Sequence, residues 1–324
     1  MRFLLHHRKA RLDPRTRYPW ARSIVSAFIP YAAPPAPSID WHRELRGRIA
    51  AYAFGPDYHD VVTERLRLWG AAIEQRLPQV RTAGFVDTAA VFEHEWAARA
   101  GVGWTGKHTL TLSEEHGSYA FLAELLLSCE LEPDPPVPER CGTCDRCVSL
   151  CPTAAIEAGY RLEPRRCISY LTIEHGGPID RALRPLLGEW IFGCDVCQMV
   201  CPWNRDAASP QHPELAPRLA EIIALDERRF DELYGRSAVR RTGRIGLARN
   251  AAVALGNSAN PDAVPLLAAA LLGHDAPLVR SHAAWSLGRL RALAPGEAEA
   301  ALQRGSSDVD EDVRDEVRVA LDGE

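Results

Sequence analysis

The chain has 324 residues, 46% of them hydrophobic, and a formal net charge of −5 at pH 7. That length allows two or three separately cored domains. No apolar run approaches the ~20 residues of a membrane-spanning helix, and the acidic balance excludes a polycation, so any nucleic-acid surface has to be local. The opening Met1-Arg2-Phe3-Leu4-Leu5-His6-His7-Arg8-Lys9 lacks the apolar stretch of a secretory leader. A cytoplasmic location, where thiols stay reduced, is therefore expected.

Apolar Ile24 to Tyr31 is predicted as a buried strand, and Arg46 to Phe54 alternates weakly. Val61, Leu66, Leu68, Trp69 and Ile73 give Asp60 to Arg76 helical spacing. Phe85-Val86 ends a predicted strand, and Asp87-Thr88 opens a helix expected to reach Ala100; a glycine turn and strand-like Thr109 to Leu112 follow. This mixture indicates an α/β domain up to about residue 130.

Two roles are open for Asp87. At a strand-to-helix junction it can cap free backbone N–H groups. It can equally serve as a general acid whose pKa is raised by Phe85, Val86 and Val91. Gly101-x-Gly103-x-x-Gly106-Lys107 resembles phosphate-binding loops, yet it follows the helical Glu95 to Ala100, and His108 stands where Ser or Thr would hold Mg²⁺. The turn is better read as bringing backbone and Trp104 against some other flat cofactor.

Proline-dense Glu132 to Pro138 reads as a stiff linker. Beyond it come eight of the nine cysteines, as Cys141-x2-Cys144-x2-Cys147-x3-Cys151-Pro152 and as Cys167 followed by Cys194-x2-Cys197-x3-Cys201-Pro202. This is ligand spacing for two [4Fe–4S] clusters, in which the last cysteine of each run serves the other cluster. Cluster 1 is expected on Cys141, Cys144, Cys147 and Cys201, and cluster 2 on Cys151, Cys167, Cys194 and Cys197. Zinc sites use two CxxC pairs instead of a three-cysteine comb with a fourth before Pro, and a disulfide framework belongs to short secreted chains. Cys129 is read as a core residue, and the insertion from Ile168 to Gly193 is long enough to form a wall.

The tail repeats. Leu247 to Leu255 is matched by Val279 to Leu287 and by Val313 to Leu321, the period of a helix-pair solenoid, with Gly256 and Gly288 expected to end helices. A short array of this kind has to lean on the cluster module for its first cap. From Arg236 to Arg291 eight arginines face only Asp262 and Asp275. Gathered on one surface, guanidinium groups suit phosphate oxygens.

With Asp87-Thr88, Arg99-Ala100-Gly101-Val102-Gly103-Trp104-Thr105-Gly106-Lys107-His108-Thr109, Arg166-Cys167-Ile168-Ser169-Tyr170-Leu171-Thr172-Ile173-Glu174 and Gly193-Cys194-Asp195-Val196-Cys197-Gln198-Met199-Val200-Cys201-Pro202-Trp203-Asn204 in view, the chain resembles the epoxyqueuosine reductases, from about Asp13 to about Leu287. The resemblance implies an α+β multidomain protein. Its expected parts are a corrinoid-binding α/β domain over 1–131, a ferredoxin-like two-[4Fe–4S] module over 132–208 and helical HEAT-like repeats over 209–324. Because family members carry a further stretch ahead of Asp13-Pro14-Arg15, the first domain is expected to be short.

The implied reaction is two-electron removal of the epoxide oxygen at the tRNA wobble position, at cobalamin fed by the clusters from an external low-potential donor. Asp87 is implied as the proton donor beside cobalt. Ser169 and Asp195 are expected between corrin and cluster, with His108, Thr111, Tyr58 and His59 in the same pocket. Arg240, Arg241, Arg244, Arg249, Asn250, Arg280 and His282 are the expected contacts to the anticodon stem-loop. A dehalogenase-like reductase of a small molecule, or an electron carrier with a helical docking tail, are the rival readings.

Overall fold

A computed structural model describes residues 7–31, 39–205 and 213–323; Met1 to His6 and the centre of the polar stretch after Arg205 lie outside it. Strand β1 (Ser23–Pro30) precedes helix α1 (Tyr58–Arg76), strand β2 (Thr82–Phe85), helix α2 (Glu93–Arg99) and strand β3 (Ala120–Leu127). The three strands form an antiparallel sheet in the order β1-β3-β2, with Ala27 opposite Ala123 and Gly84 opposite Leu125. Leucines fill β3 because, as the central strand, it is covered on both faces. Gly84 lets α1 lie close, since a Cβ there would sit 2.7 Å from the Leu66 side chain.

Three expectations are corrected in this domain. Arg46 to Phe54 supplies only the two-residue strand Arg48–Ile49 and a single turn, Ala51–Ala53. Helix α2 starts at Glu93 with Phe92 at its cap position, so Asp87 caps nothing; it sits in a loop with φ of 50°. The glycine turn packs backbone against backbone, because a Cβ on Gly103 would lie 2.0 Å from the Leu112 carbonyl oxygen. Trp104 is buried against Trp203 and Leu112 beside Cys141 and Cys201, so it faces the first cysteine run and no flat-cofactor cleft.

The cysteine-bearing module is held to this domain by a buried polar knot. Asn204 accepts the Ser118 N–H at 2.7 Å and donates to the Ser118 hydroxyl and the Gln198 carbonyl, while Gln198 donates to the Ser118 carbonyl. Strand Trp190–Phe192, inside the long insertion, pairs in parallel with Arg48–Ile49.

The tail consists of α3 (Gly243–Asn257), α4 (Ala263–Gly273), α5 (Pro277–Leu290), α6 (Pro295–Gly305) and α7 (Glu311–Asp322). The three sequence repeats fall on α3, α5 and α7. Gly256 and Gly288 do not end helices; they lie inside them and permit contact between units. A Cβ on Gly256 would meet the Ser286 hydroxyl at 2.4 Å, and one on Gly288 would meet the Ala320 Cβ at 2.9 Å. One apolar core runs from Leu45 and Ile191 through Leu247 and Ala283 to Val317, so the repeats are capped by the cluster module.

Candidate active site

None of the nine cysteines is in a disulfide. Their two runs fold back so that Cys141, Cys144, Cys147 and Cys201 line one cavity, and Cys151, Cys167, Cys194 and Cys197 line another. Short turns present each thiol: the helical turn Arg146–Ser149 carries Cys147, Val196–Met199 carries Cys197, and Cys167 precedes Ile168–Ile173. Burial, and then neighbouring Cys201, Cys141 and Cys144, push the Cys147 thiol up to about 11. Such a group keeps its proton until a metal replaces it. Among the described residues no three His, Cys, Asp or Glu side chains converge on a single ion.

Lys107 buttresses the first quartet. Its Nζ donates to the carbonyls of Gly142 at 2.6 Å and Cys144 at 2.9 Å, which places a cation beside the cluster loop. Its rarity, as one of two lysines beside Lys9, was the only mark of this role in the sequence.

The cavity at the second quartet, of about 320 Å³, lies within the range of cofactor pockets. Apolar Phe28, Ala120 and Leu122 also line it, with Tyr31. Ser169, Asp195, His108 and Thr111 all line it. Asp195 is buried, accepts the Ala51 N–H at 2.7 Å, and is pushed up to about 6 by that burial. Thr111 is bonded through its hydroxyl to His94 Nδ1 at 2.8 Å. His108 is pushed down to about 4 by burial, and its Nε2 is a buried atom with no protein partner. An orphaned imidazole nitrogen, apolar lining residues and an adjoining thiol quartet fit a planar cofactor that draws electrons from the cluster.

Tyr58 and His59 do not line this cavity; they stand at its flank with Asp87. The Tyr58 ring lies 6.0 Å from that of Tyr52, which does line it. Asp87 Oδ2 accepts the Tyr58 hydroxyl at 2.7 Å and lies 3.1 Å from His59 Nε2, and the Asp87 N–H donates to Glu93. The bond from His59, together with that from Tyr58, holds the Asp87 carboxyl below the usual carboxylate range. The expected rise from apolar neighbours is therefore corrected. Glu93 carries the raised value instead, pushed up to about 7 by burial and by Asp87. Asp57 went unnoticed in the sequence, although an acid two residues before a histidine at a helix start is a legible pattern. It caps α1, accepting the His59 N–H at 3.0 Å, and lies 2.7 Å from His59 Nδ1.

The arginine surface is smaller than expected. Arg249, Asn250 and His282 are fully buried and are withdrawn as RNA contacts. Arg249 donates to the carbonyls of Leu171, His175 and Gly177, Asn250 to those of Thr172 and Ile191, and His282 Nε2 accepts the Ile179 N–H. They bolt α3 and α5 to the insertion from Ile168 to Gly193, which is the wall on which the repeats stand. Arg244 and Arg280 are also largely covered, paired with Glu227 and Asp275, and with Asp308. Arg240 and Arg241 stay exposed, on the turn Ala238–Thr242, and reach the Asp87 site: Arg240 Nε is 3.5 Å from Asp57, and Arg241 pairs with Glu174.

The comparisons with known proteins agree with this layout. A family described as "Epoxyqueuosine reductase QueG, DUF1730" matches residues 11–88, a 4Fe-4S double cluster binding domain matches 140–204, and HEAT repeats match 237–322. The epoxyqueuosine reductase of Escherichia coli is 40% identical over 295 residues, covering 89% of this chain and 78% of the relative. The chain belongs to the epoxyqueuosine reductase family. It is thereby an oxidoreductase acting on epoxyqueuosine in tRNA, in a family that uses cobalamin and two [4Fe–4S] clusters. An epoxyqueuosine reductase crystallised with an epoxyqueuosine-modified tRNA-Tyr stem loop superposes with a TM-score of 0.85 at 30% identity, covering 96% of this chain and 84% of that one. The Bacillus subtilis reductase, in a structure whose catalytic aspartate loop is swung out of the active site, gives a TM-score of 0.88 at 29% identity, covering 97% of this chain and 85% of that one. Among the described residues no helix is long and apolar enough to cross a membrane.

Proposed function

We propose that this reductase converts epoxyqueuosine to queuosine at the wobble position of tRNA, with Asp87 protonating the departing oxygen beside a corrin seated between the sheet and the second thiol quartet. The carrying observation is adjacency. One cavity is lined both by Cys151, Cys167, Cys194 and Cys197 and by Phe28 and Leu122 of the sheet, and Tyr52 links it to the Tyr58–Asp87 pair. Cobalamin, when bound, supplies a metal that can gather two electrons which iron–sulfur clusters pass singly. Ser169, Asp195, His108 and Thr111 orient it, and its orphaned Nε2 gives His108 a polar contact to offer.

In this reading residues 1–131 form the corrinoid-binding domain, 132–208 the ferredoxin-like module and 209–324 the helical repeats. Cys141, Cys144, Cys147 and Cys201 hold cluster 1, and the other quartet holds cluster 2. Electrons enter at cluster 1, whose cavity is rimmed by Lys107, Arg140, Arg146 and Arg205, from an external low-potential donor in the cytoplasm. Arg240 and Arg241 hold phosphates of the anticodon stem-loop at the mouth of the Asp87 site.

The test is liquid chromatography of digested tRNA after incubation with the protein, cob(II)alamin and a reductant. Queuosine is expected from the wild type. Asp87→Asn is expected to lower turnover by about 10²- to 10⁴-fold, the usual worth of a positioned proton donor, with both cluster spectra intact. An active Asn variant removes the acid.

A further inference from the structure

We infer that His59 is the proton reservoir of the reaction, recharging Asp87 through a fixed chain that runs from Asp57 to His59 to Asp87. The inference rests on the proposed epoxide reduction and adds a positioned proton carrier to it.

The geometry carries the argument. His59 Nδ1 lies 2.7 Å from Asp57 Oδ1 and His59 Nε2 lies 3.1 Å from Asp87 Oδ2. A neutral imidazole has one N–H and one lone pair, so with a carboxylate at each nitrogen one contact would set lone pair against lone pair. Only the imidazolium, a donor at both nitrogens, satisfies the two. The ring is fixed as well: it stacks on Tyr58 at 4.0 Å, and Asp57 is itself held in the α1 cap with 4% of its side chain exposed. Both side-chain hydrogen bonds of Asp87 use Oδ2, which leaves Oδ1 without a protein partner among the described residues.

Stoichiometry supplies the need. Turning an epoxide into an alkene breaks both C–O bonds and releases the oxygen as water, which consumes two electrons and two protons. Asp87 rests as a carboxylate, so neither proton starts on it. The first passes from His59 Nε2–H through Asp87 to the oxygen, the neutral His59 regains a proton from solvent, from which 24% of its side chain is accessible, and the second follows the same path.

Six charged or titratable groups face this ring: Asp57 and Tyr58 at the start of α1, Asp87 and Glu93 across from it, and Arg240 and Arg241 on the turn Ala238–Thr242. The bond to Asp87, and then that to Asp57, raise His59 above its ordinary 6.5. The charged reservoir is therefore full below that raised value and empties as pH climbs through it, so turnover should fall on the alkaline side.

Histidine C2-hydrogen exchange followed by mass spectrometry on the cofactor-loaded enzyme reads the His59 pKa directly. The pH profile of queuosine formation reads its consequence. Asp57→Asn, which keeps the helix cap, should lower the His59 pKa and move the alkaline limb to lower pH, with KM for tRNA within about twofold. His59→Gln should slow kcat by about 10²-fold at neutral pH and erase the limb, with cluster spectra unchanged. A His59→Gln enzyme within twofold of wild type and with its alkaline limb in place overturns the relay, as does an Asp57→Asn enzyme in which neither the exchange pKa nor the limb moves. Wild-type protein forming no queuosine sinks the proposed reaction and the relay with it, an outcome distinct from wild-type turnover with indifferent variants.

Discussion

The eight cluster cysteines and the arginines of the repeat tail are both rows of like residues, and the fold treats them in opposite ways. The thiols converge, four on each of two cavities, although Cys141 and Cys201 lie 60 positions apart in number. The arginines disperse: Arg249 goes into the core, Arg244 and Arg280 into ion pairs, and only Arg240 and Arg241 of the expected set keep about half their side chains exposed. A shared ligand imposes one geometry on every residue that binds it, so its spacing is written in the sequence. Charge imposes none, and a helical arginine goes wherever its face of the helix packs.

The sharpest break in that comparison comes from the thiols. Cys197→Ser should halve the bound iron, roughly, and abolish queuosine formation while the first cluster keeps its spectrum; iron analysis with retention of both clusters would undo the quartet assignment. Next in size, Arg249→Met leaves the carbonyls of Leu171, His175 and Gly177 without their donor, and should cost about 3 kcal/mol in denaturant unfolding. Unchanged stability would mean the repeats do not depend on that bolt. Gly256→Val should cost about 1–3 kcal/mol, since its Cβ collides with Ser286 and the α3–α5 contact has to open. The smallest effect belongs to the exposed class: Arg241→Glu should weaken tRNA binding and flatten the slope of log affinity against log salt by about 1. An unaltered slope would move the RNA contact off this turn.

Much of the site was legible for the same reason. The first run, three cysteines closed by Cys-Pro, carries its geometry locally, as does Cys194-x2-Cys197-x3-Cys201-Pro202, and the three repeats follow their apolar spacing. The helix Tyr58–Arg76 forms as expected, but it buries Val62, Leu66 and Gly70 and leaves Val61, Leu68 and Trp69 exposed. The Asp87 environment was misread because its partners are tertiary. Phe85, Val86 and Val91 are its neighbours in sequence, but His59 and Tyr58, about thirty residues upstream, set its protonation. Gly256 and Gly288 were likewise misread as stops: a glycine within a helix and one past its end look alike until the opposing Ser286 or Ala320 is in place.

By itself, then, the sequence determined the cysteine spacing, the repeat period and the family, because each is fixed by distances along the chain. The tertiary structure alone decided which arginines face water, that Glu93 and not Asp87 has the raised pKa, and that the insertion from Ile168 to Gly193 serves as the footing of the repeats. Those depend on what a side chain meets across an interface, where burial and a carboxylate or carbonyl a few ångströms away outweigh any preference of the residue itself.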